Sequence, residues 1–304
     1  MEKSDGNAYL ALAVALATWY NEIRGDPMSV TVEIRQKTIF RKPLTLEDVI
    51  RLSGLSYGTA DENFRLIERE TGNCTLLYDP ETLARGMELS VNENAISLKL
   101  SLPTSKAEIR RFYEVVKLLC TTLKTKQFIL EGQTQTLRDI DTLMQNDMNA
   151  SIGALDDLNQ EISKNEYKHF QVFGICFPIS LGKHEFDYIG NDLDRLGELL
   201  HYLQSQDVYY AAPKVYRVKE RLVGIYFTEA DLPTVLPTEP YIILDQIKGI
   251  EDWYLMLKNQ RTVRYEDFMN AVSEKTYFDA NHRIISLSQE KLDAILETWE
   301  SPVD

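Results

Sequence analysis

From Ile96 to Leu102 the chain reads Ile-Ser-Leu-Lys-Leu-Ser-Leu, apolar and polar residues in strict alternation. A period of two is what a strand with one face on a core requires. Pro103 cannot donate to a strand ladder and ends it, and Ser105 with Glu108 makes an S-x-x-E start for a helix. Ile109, Phe112, Val116, Leu119 and Leu123 then recur at spacings of three and four as one apolar stripe, and the chain returns as a strand through Phe128-Ile-Leu130. The same grammar recurs later: Val172 to Phe177, Pro178, a helix over 187–204 burying Ile189, Leu193, Leu196, Leu200 and Leu203, and a strand at Val208-Tyr-Tyr210. Two strand-proline-helix-strand units predict an α+β fold of mostly antiparallel sheets with packed helices, in a pseudo-duplicated arrangement.

The rest of the chain fits around these units. Met28 to Ile34 predicts an opening strand, and Thr45-Leu-Glu-Asp48 starts a short helix ended by Gly54 and Gly58. Phe64 to Ile67 and Cys74 to Tyr78 read as a hairpin around Thr71-Gly-Asn73. Leu137 to Ile162 is amphipathic at helical spacing, broken near Gly153. Packing across the two halves is preferred for it over partner binding. Past Pro240 the pattern predicts a strand over 241–244, helices over 252–257 and 265–272, a strand over 283–287 and a closing helix capped by Ser288. The predicted organisation is an extension at 1–27, a first half at 28–136, a connector at 137–164 and a second half at 165–304.

The extension stands apart. Tyr9 to Tyr20 is the most apolar run, yet too short to span a bilayer, and Glu2 and Asp5 ahead of it do not resemble the basic leader of a signal peptide. Either it is an Ala/Leu-rich helix on the core, or translation starts at Met28. The second reading is preferred, because Arg24-Gly-Asp26 can be encoded by a purine-rich stretch like a ribosome-binding site.

Composition narrows function by exclusion. With 33 basic against 47 acidic residues the formal charge is −14, and no basic run interrupts it, so nucleic-acid and membrane-surface partners are not expected. Cys74, Cys120 and Cys176 lie far apart among apolar neighbours, as buried thiols of a reducing, cytoplasmic compartment do. No phosphate-binding glycine loop occurs, and no cofactor is expected. Ser288-Gln-Glu-Lys291 matches S-x-x-K but is better read as a helix cap. His184, Glu185 and Asp187 are a weak candidate for a metal or an acid/base set, lacking a second histidine at helical spacing. No catalytic residue is assigned.

A tyrosine- and proline-rich stretch is the candidate for a ligand or partner surface: Tyr209, Tyr210, Tyr216 and Tyr226, with Glu229 and Asp231 on an acidic loop, although packing at the edge of a core is preferred for the tyrosines. Met28-Ser-Val-Thr, Tyr209-Tyr-Ala-Ala-Pro213 and Ile225-Tyr-Phe-Thr-Glu-Ala-Asp-Leu-Pro-Thr-Val-Leu-Pro-Thr-Glu-Pro240 together resemble a bacterial family, of about this chain's 304 residues, classed as a domain of unknown function. The resemblance implies a bacterial cytoplasmic protein and transfers no activity or site. The leading expectation is a non-enzymatic binding or accessory protein that contacts a protein or small ligand. The alternatives are a hydrolase or transferase with acid/base residues dispersed along the chain, and an acidic immunity-type protein.

Overall fold

A computed structural model describes residues 29–36, 42–72, 74–243, 247–257 and 260–303. The predicted extension at 1–27 and part of the 71–73 turn lie outside these. The chain forms two compact units, residues 1–179 with 183–205, and residues 180–182 with 206–304.

The first unit is built on an eight-stranded, wholly antiparallel sheet: β1 (Ser29–Arg35), β2 (Ser56–Ala60), β3 (Leu66–Glu68), β4 (Thr75–Tyr78), β5 (Met87–Val91), β6 (Ala95–Ser101), β7 (Gln127–Leu130) and β8 (Gln133–Thr136), in the order β3-β2-β4-β5-β6-β1-β7-β8. The alternation seen in the sequence sets the register: Val30, Val32 and Ile34 lie opposite Leu100, Leu98 and Ile96, and all six are buried. Helices α1 (Leu46–Ser53), α2 (Lys106–Thr122) and α3 (Ile140–Ser163) follow the predicted stripes, and α2 packs on β1 and β6. Thr45 and Asp48 cap α1 reciprocally, as the sequence predicts.

Two expectations change here. The hairpin predicted from 64–67 and 74–78 is absent as a pair, because β2 inserts between β3 and β4. The connector α3 runs unbroken through Gly153, packs on α2, and belongs to the first unit. At that contact the Tyr113 hydroxyl donates to Asp147 at 2.6 Å. Burial, partly offset by this bond, pushes the Asp147 carboxyl up to about 6. Because this folded-state value lies above the ordinary one of 3.8, the charged carboxylate costs stability at neutral pH, and the cost fades as pH falls through 6 toward 4. Asp147→Asn is therefore expected to raise stability by about 1–2 kcal/mol at pH ~7.5 and by almost nothing at pH ~4. Thermal unfolding at both pH values checks this, and equal gains at the two would defeat it.

The second strand-proline-helix-strand segment differs from the first. Pro178 begins a strand instead of ending one: β9 (His169–Phe173) turns through Gly174, whose N–H donates to Phe177 O at 3.2 Å, into β10 (Pro178–Gly182). The single predicted helix is two, α4 (Lys183–Ile189) and α5 (Leu193–Gln204), because Gly190 at φ 52° breaks the run and Asp192 caps the next. β11 (Tyr209–Tyr210) then pairs in parallel with β14 (Thr234–Pro237) in the second unit. The compact units thus divide near Ser205, not at the connector.

The second unit holds two four-stranded sheets. One has the order β11-β14-β18-β17, with β17 at Thr276–Tyr277 and β18 at His282–Ile285. The other consists of β12 (Lys214–Val218), β13 (Arg221–Phe227), β15 (Ile250–Met256) and β16 (Thr262–Arg264) in that order. Residues 252–257, predicted helical, lie in and just after β15. The Trp253 ring stands over Gly224, where any Cβ would come within 2.4 Å of it, so β13 and β15 approach closely only because residue 224 is glycine. Tyr241 and Ile242 form no strand. Helices α6 (Tyr265–Ala271) and α7 (Gln289–Trp299) complete a core around Leu236, Leu255, Val263 and Phe268.

Candidate functional site

In the first unit the β2–β3 corner, the end of β4 and the 174–177 turn enclose a cleft of about 480 Å³. Asp61 closes the β2–β3 turn by accepting from the N–H groups of Asn63 (2.8 Å) and Arg65 (2.9 Å). Gly58 lets β3 lie close, since a Cβ there would sit 2.6 Å from Ile67 O. The Leu66 N–H donates to Cys176 O at 3.1 Å, and the Cys176 N–H donates to Gln204 Oε1 at 2.9 Å. Gln204 in turn donates to Ala84 O (2.8 Å) and Leu200 O (3.1 Å), so its amide is a strut and not a free recognition group.

The interior of the cleft is set by Tyr78. This residue is only 5% exposed and lines the cleft, yet its hydroxyl has no hydrogen-bond partner among the described residues. Burial and the neighbouring Glu68 carboxylate push the phenol up to about 12, so it stays a protonated donor. Leu55, Leu66, Pro80 and Leu83 supply apolar wall, and Glu68 and Arg69 line the cleft from an exposed position. Cys176 also lines it, but burial pushes its thiol up to about 11. Cys74 and Cys120 are likewise raised by burial, to about 12 and about 11. A thiol held in its protonated form is a poor nucleophile. The cleft can hold, orient and hydrogen-bond a molecule; it presents no activated nucleophile.

A second, smaller cavity of about 340 Å³ is lined by Glu81, Asp194, Glu198 and His201. Three of these four polar groups, all but Glu81, are already engaged among the described residues. Lys106 pairs with Asp194 at 3.0 Å, Tyr188 donates to Glu198 at 2.9 Å, and His201 Nδ1 accepts from the Leu83 N–H at 3.1 Å.

In the second unit the sequence-predicted tyrosines separate. Tyr210 and Tyr226, candidates for the surface, are 4% and 1% exposed. They are core residues because each hydroxyl has an internal partner: Tyr226 donates to Tyr241 O at 2.8 Å, and Tyr210 lies 3.1 Å from His282 Nε2. Tyr209 is half-buried with its ring edge-on to Phe227, while Tyr216, Glu229 and Asp231 are exposed on β12 and the β13–β14 turn. His282 is the centre of a buried network. Its Nδ1 lies 2.7 Å from Asp279 Oδ1, and its Nε2 lies 3.1 Å from both the Tyr210 and Tyr241 hydroxyls. A carboxylate only accepts, which puts the ring proton on Nδ1 and leaves Nε2 to accept from the hydroxyls. With His282 1% exposed and Asp279 fully buried, this network ties interior elements together.

Residues 29–295 match the family model described as Domain of unknown function (DUF4299). The chain belongs to this family. The matched span begins at the first residue of β1 and contains both the cleft and the His282 network. No curated protein and no solved structure matches the chain.

The weak metal candidates do not converge. His184, Glu185 and Asp187 share α4, and His184 Nδ1 lies 3.5 Å from Glu185 Oε1, but Asp187 does not join them. The imidazole of His184 is exposed, Glu185 is buried, and Asp187 pairs with Lys183 at 3.1 Å. Among the described residues no group of three or more His, Cys, Asp or Glu side chains is placed to hold a metal ion, and no helix is long and apolar enough to cross a membrane. The cleft residues Tyr57, Glu68, Arg69 and Tyr78 escaped the sequence reading. The Tyr57 signal was a lone aromatic between Gly54 and Gly58, which reads as a turn.

Proposed function

We propose that this protein is a non-catalytic binding protein whose first unit holds a small ligand in the 480 Å³ cleft. The observation that carries the reading is the Tyr78 hydroxyl, a donor on a largely buried side chain at the cleft that has no hydrogen-bond partner among the described residues. A ligand oxygen that accepts from this hydroxyl gains a hydrogen bond worth about 0.5–1.5 kcal/mol net. The cleft volume falls within the roughly 300–1,000 Å³ of small-molecule sites.

The three free cysteines support a cytoplasmic location, which the bacterial resemblance of the sequence also favours, and the charge of −14 argues against nucleic-acid partners. A hydrolase or transferase would draw on Asp279 and His282, whose burial counts against substrate access. The immunity-type reading rests on acidity alone.

The test uses 8-anilinonaphthalene-1-sulfonate, an anionic fluorophore with an aromatic body of suitable size. Saturable fluorescence enhancement by the folded protein is expected, and Ser56→Trp, which fills the cleft from β2, should abolish it at unchanged melting temperature. Dye binding that persists in the folded Ser56→Trp variant would place the site elsewhere and reject the reading.

A further inference from the structure

We propose that the cleft takes a zwitterion with an apolar body, of dipeptide size, its ammonium at Glu68 and its carboxylate at Arg69. This rests on the binding role argued above and names the ligand class.

The inference begins with two adjacent residues on one side of a strand. Successive side chains of a β-strand point to opposite faces. Glu68 ends β3 and Arg69 follows it, yet both line the same cleft. The cause is local. Arg69 adopts φ 60°, the left-handed region, while its N–H still donates to Tyr57 O at 2.9 Å. The chain therefore stays attached to β2 while its side-chain alternation is broken. Left-handed backbone disfavours arginine by about 1–2 kcal/mol relative to the right-handed form, so the arrangement is one that glycine or asparagine would form more readily.

Two opposite charges thus sit side by side at the cleft, and neither has an ion pair or side-chain hydrogen bond among the described residues. An anion alone would meet Glu68, and a cation alone would meet Arg69. A molecule carrying both charges satisfies both, with the guanidinium offering its paired donors to a carboxylate. Deeper in, the Tyr78 hydroxyl donates to a ligand carbonyl, and Leu55, Leu66 and Leu83 receive apolar side chains. A peptide bond supplies that carbonyl between the two charged ends. At about 480 Å³ the cleft exceeds what a single amino acid fills.

Isothermal titration of the full chain with leucyl-leucine, N-acetyl-leucyl-leucine and leucyl-leucinamide separates the contributions. The free dipeptide is expected to bind at least about tenfold more tightly than the blocked forms, which carry only the negative or only the positive charge. Arg69→Gly, which suits the left-handed backbone, should erase the preference over the amide. Glu68→Ala should erase the preference over the N-acetyl form, and Tyr78→Phe should weaken all ligands severalfold while keeping their rank. Equal affinity for the three compounds, no dipeptide heat while the fluorophore still binds in the cleft, or an unchanged rank in Arg69→Gly and Glu68→Ala would overturn the zwitterion class and leave the cleft itself standing. Loss of cleft-dependent fluorophore binding together with the dipeptide heat would remove both.

Discussion

Glu108→Ala is expected to lower the unfolding free energy by about 3–5 kcal/mol, among the largest losses one side chain can cause. Glu108 lies in the first turn of α2 and is 6% exposed. Its carboxylate accepts from the Arg85 N–H at 3.1 Å, the Gly86 N–H at 2.6 Å and the Thr104 hydroxyl. Alanine would leave two backbone N–H groups and a hydroxyl without an acceptor and would open a cavity beneath the helix. Burial raises the carboxyl above its ordinary range, the hydrogen bonds opposing that shift. Glu108→Gln keeps one acceptor oxygen and should lose about half as much. Urea unfolding followed by far-ultraviolet circular dichroism measures both; an alanine loss below about 1 kcal/mol would mean that other groups or water take over the bonds.

Glu108 also shows how far local pattern reaches. Ser105 and Glu108 read as a capping box, and half of it is present: the Ser105 hydroxyl accepts from the Glu108 N–H at 3.1 Å. The reciprocal arm leaves the helix for Arg85 and Gly86, partners more than twenty residues away that no spacing rule reveals. The same limit separates what was legible from what was not. β1, β6 and α2 announce themselves because one buried face imposes a period of two or 3.6 on the residues themselves. Ser288, read as a cap, accepts from the Lys291 N–H, and Lys291 pairs with Glu274 at 3.1 Å, so the S-x-x-K match is structural. β2 and β15 were missed for different reasons. Ser56-Tyr-Gly-Thr-Ala60 has no strong alternation and a glycine at its centre, while the Asp252–Leu257 window contains apolar spacings that suit a helix as well as a strand.

The cleft was illegible because it is assembled, not written in one place. Its walls come from segments around Tyr57, Arg69, Tyr78, Cys176 and Gln204, brought together only by β2 entering between β3 and β4. The tyrosine-rich stretch leaves surface and core both open in the sequence, with core packing preferred. Amphipathic rings suit a surface or a core equally, and the residues that decide the matter for Tyr210 and Tyr226 are His282 and the backbone of Tyr241.

For the second unit the corresponding prediction is Asp279→Ala, with an expected loss of about 4–5 kcal/mol. Asp279 Oδ1 accepts from the N–H groups of Asn281 (2.9 Å) and His282 (2.8 Å) and from His282 Nδ1 (2.7 Å), and Oδ2 accepts from the Ser180 N–H at 2.8 Å. Removing the carboxylate orphans the Ser180 and Asn281 N–H groups and one ring donor in a place with no exposure, and leaves the His282 N–H only its 3.3 Å bond to Asp279 O, so the cost exceeds that of a single lost bond. Asp279→Asn should cost less, about 2–3 kcal/mol, because one oxygen remains while the amide group faces a donor. Trp253 packs beside Tyr226 in the same unit, at 5.9 Å between ring centroids, so tryptophan fluorescence during urea unfolding reports the change. Tyr210→Phe and Tyr241→Phe provide the comparison. A neutral ring nitrogen has one lone pair for the two hydroxyls at 3.1 Å, so either substitution should cost only about 0.5–1.5 kcal/mol. A structural hub requires this ordering, carboxylate far above either phenol. Full stability in Asp279→Ala would reverse the assignment, because a buried carboxylate-imidazole pair that contributes nothing to folding is one held in place for chemistry.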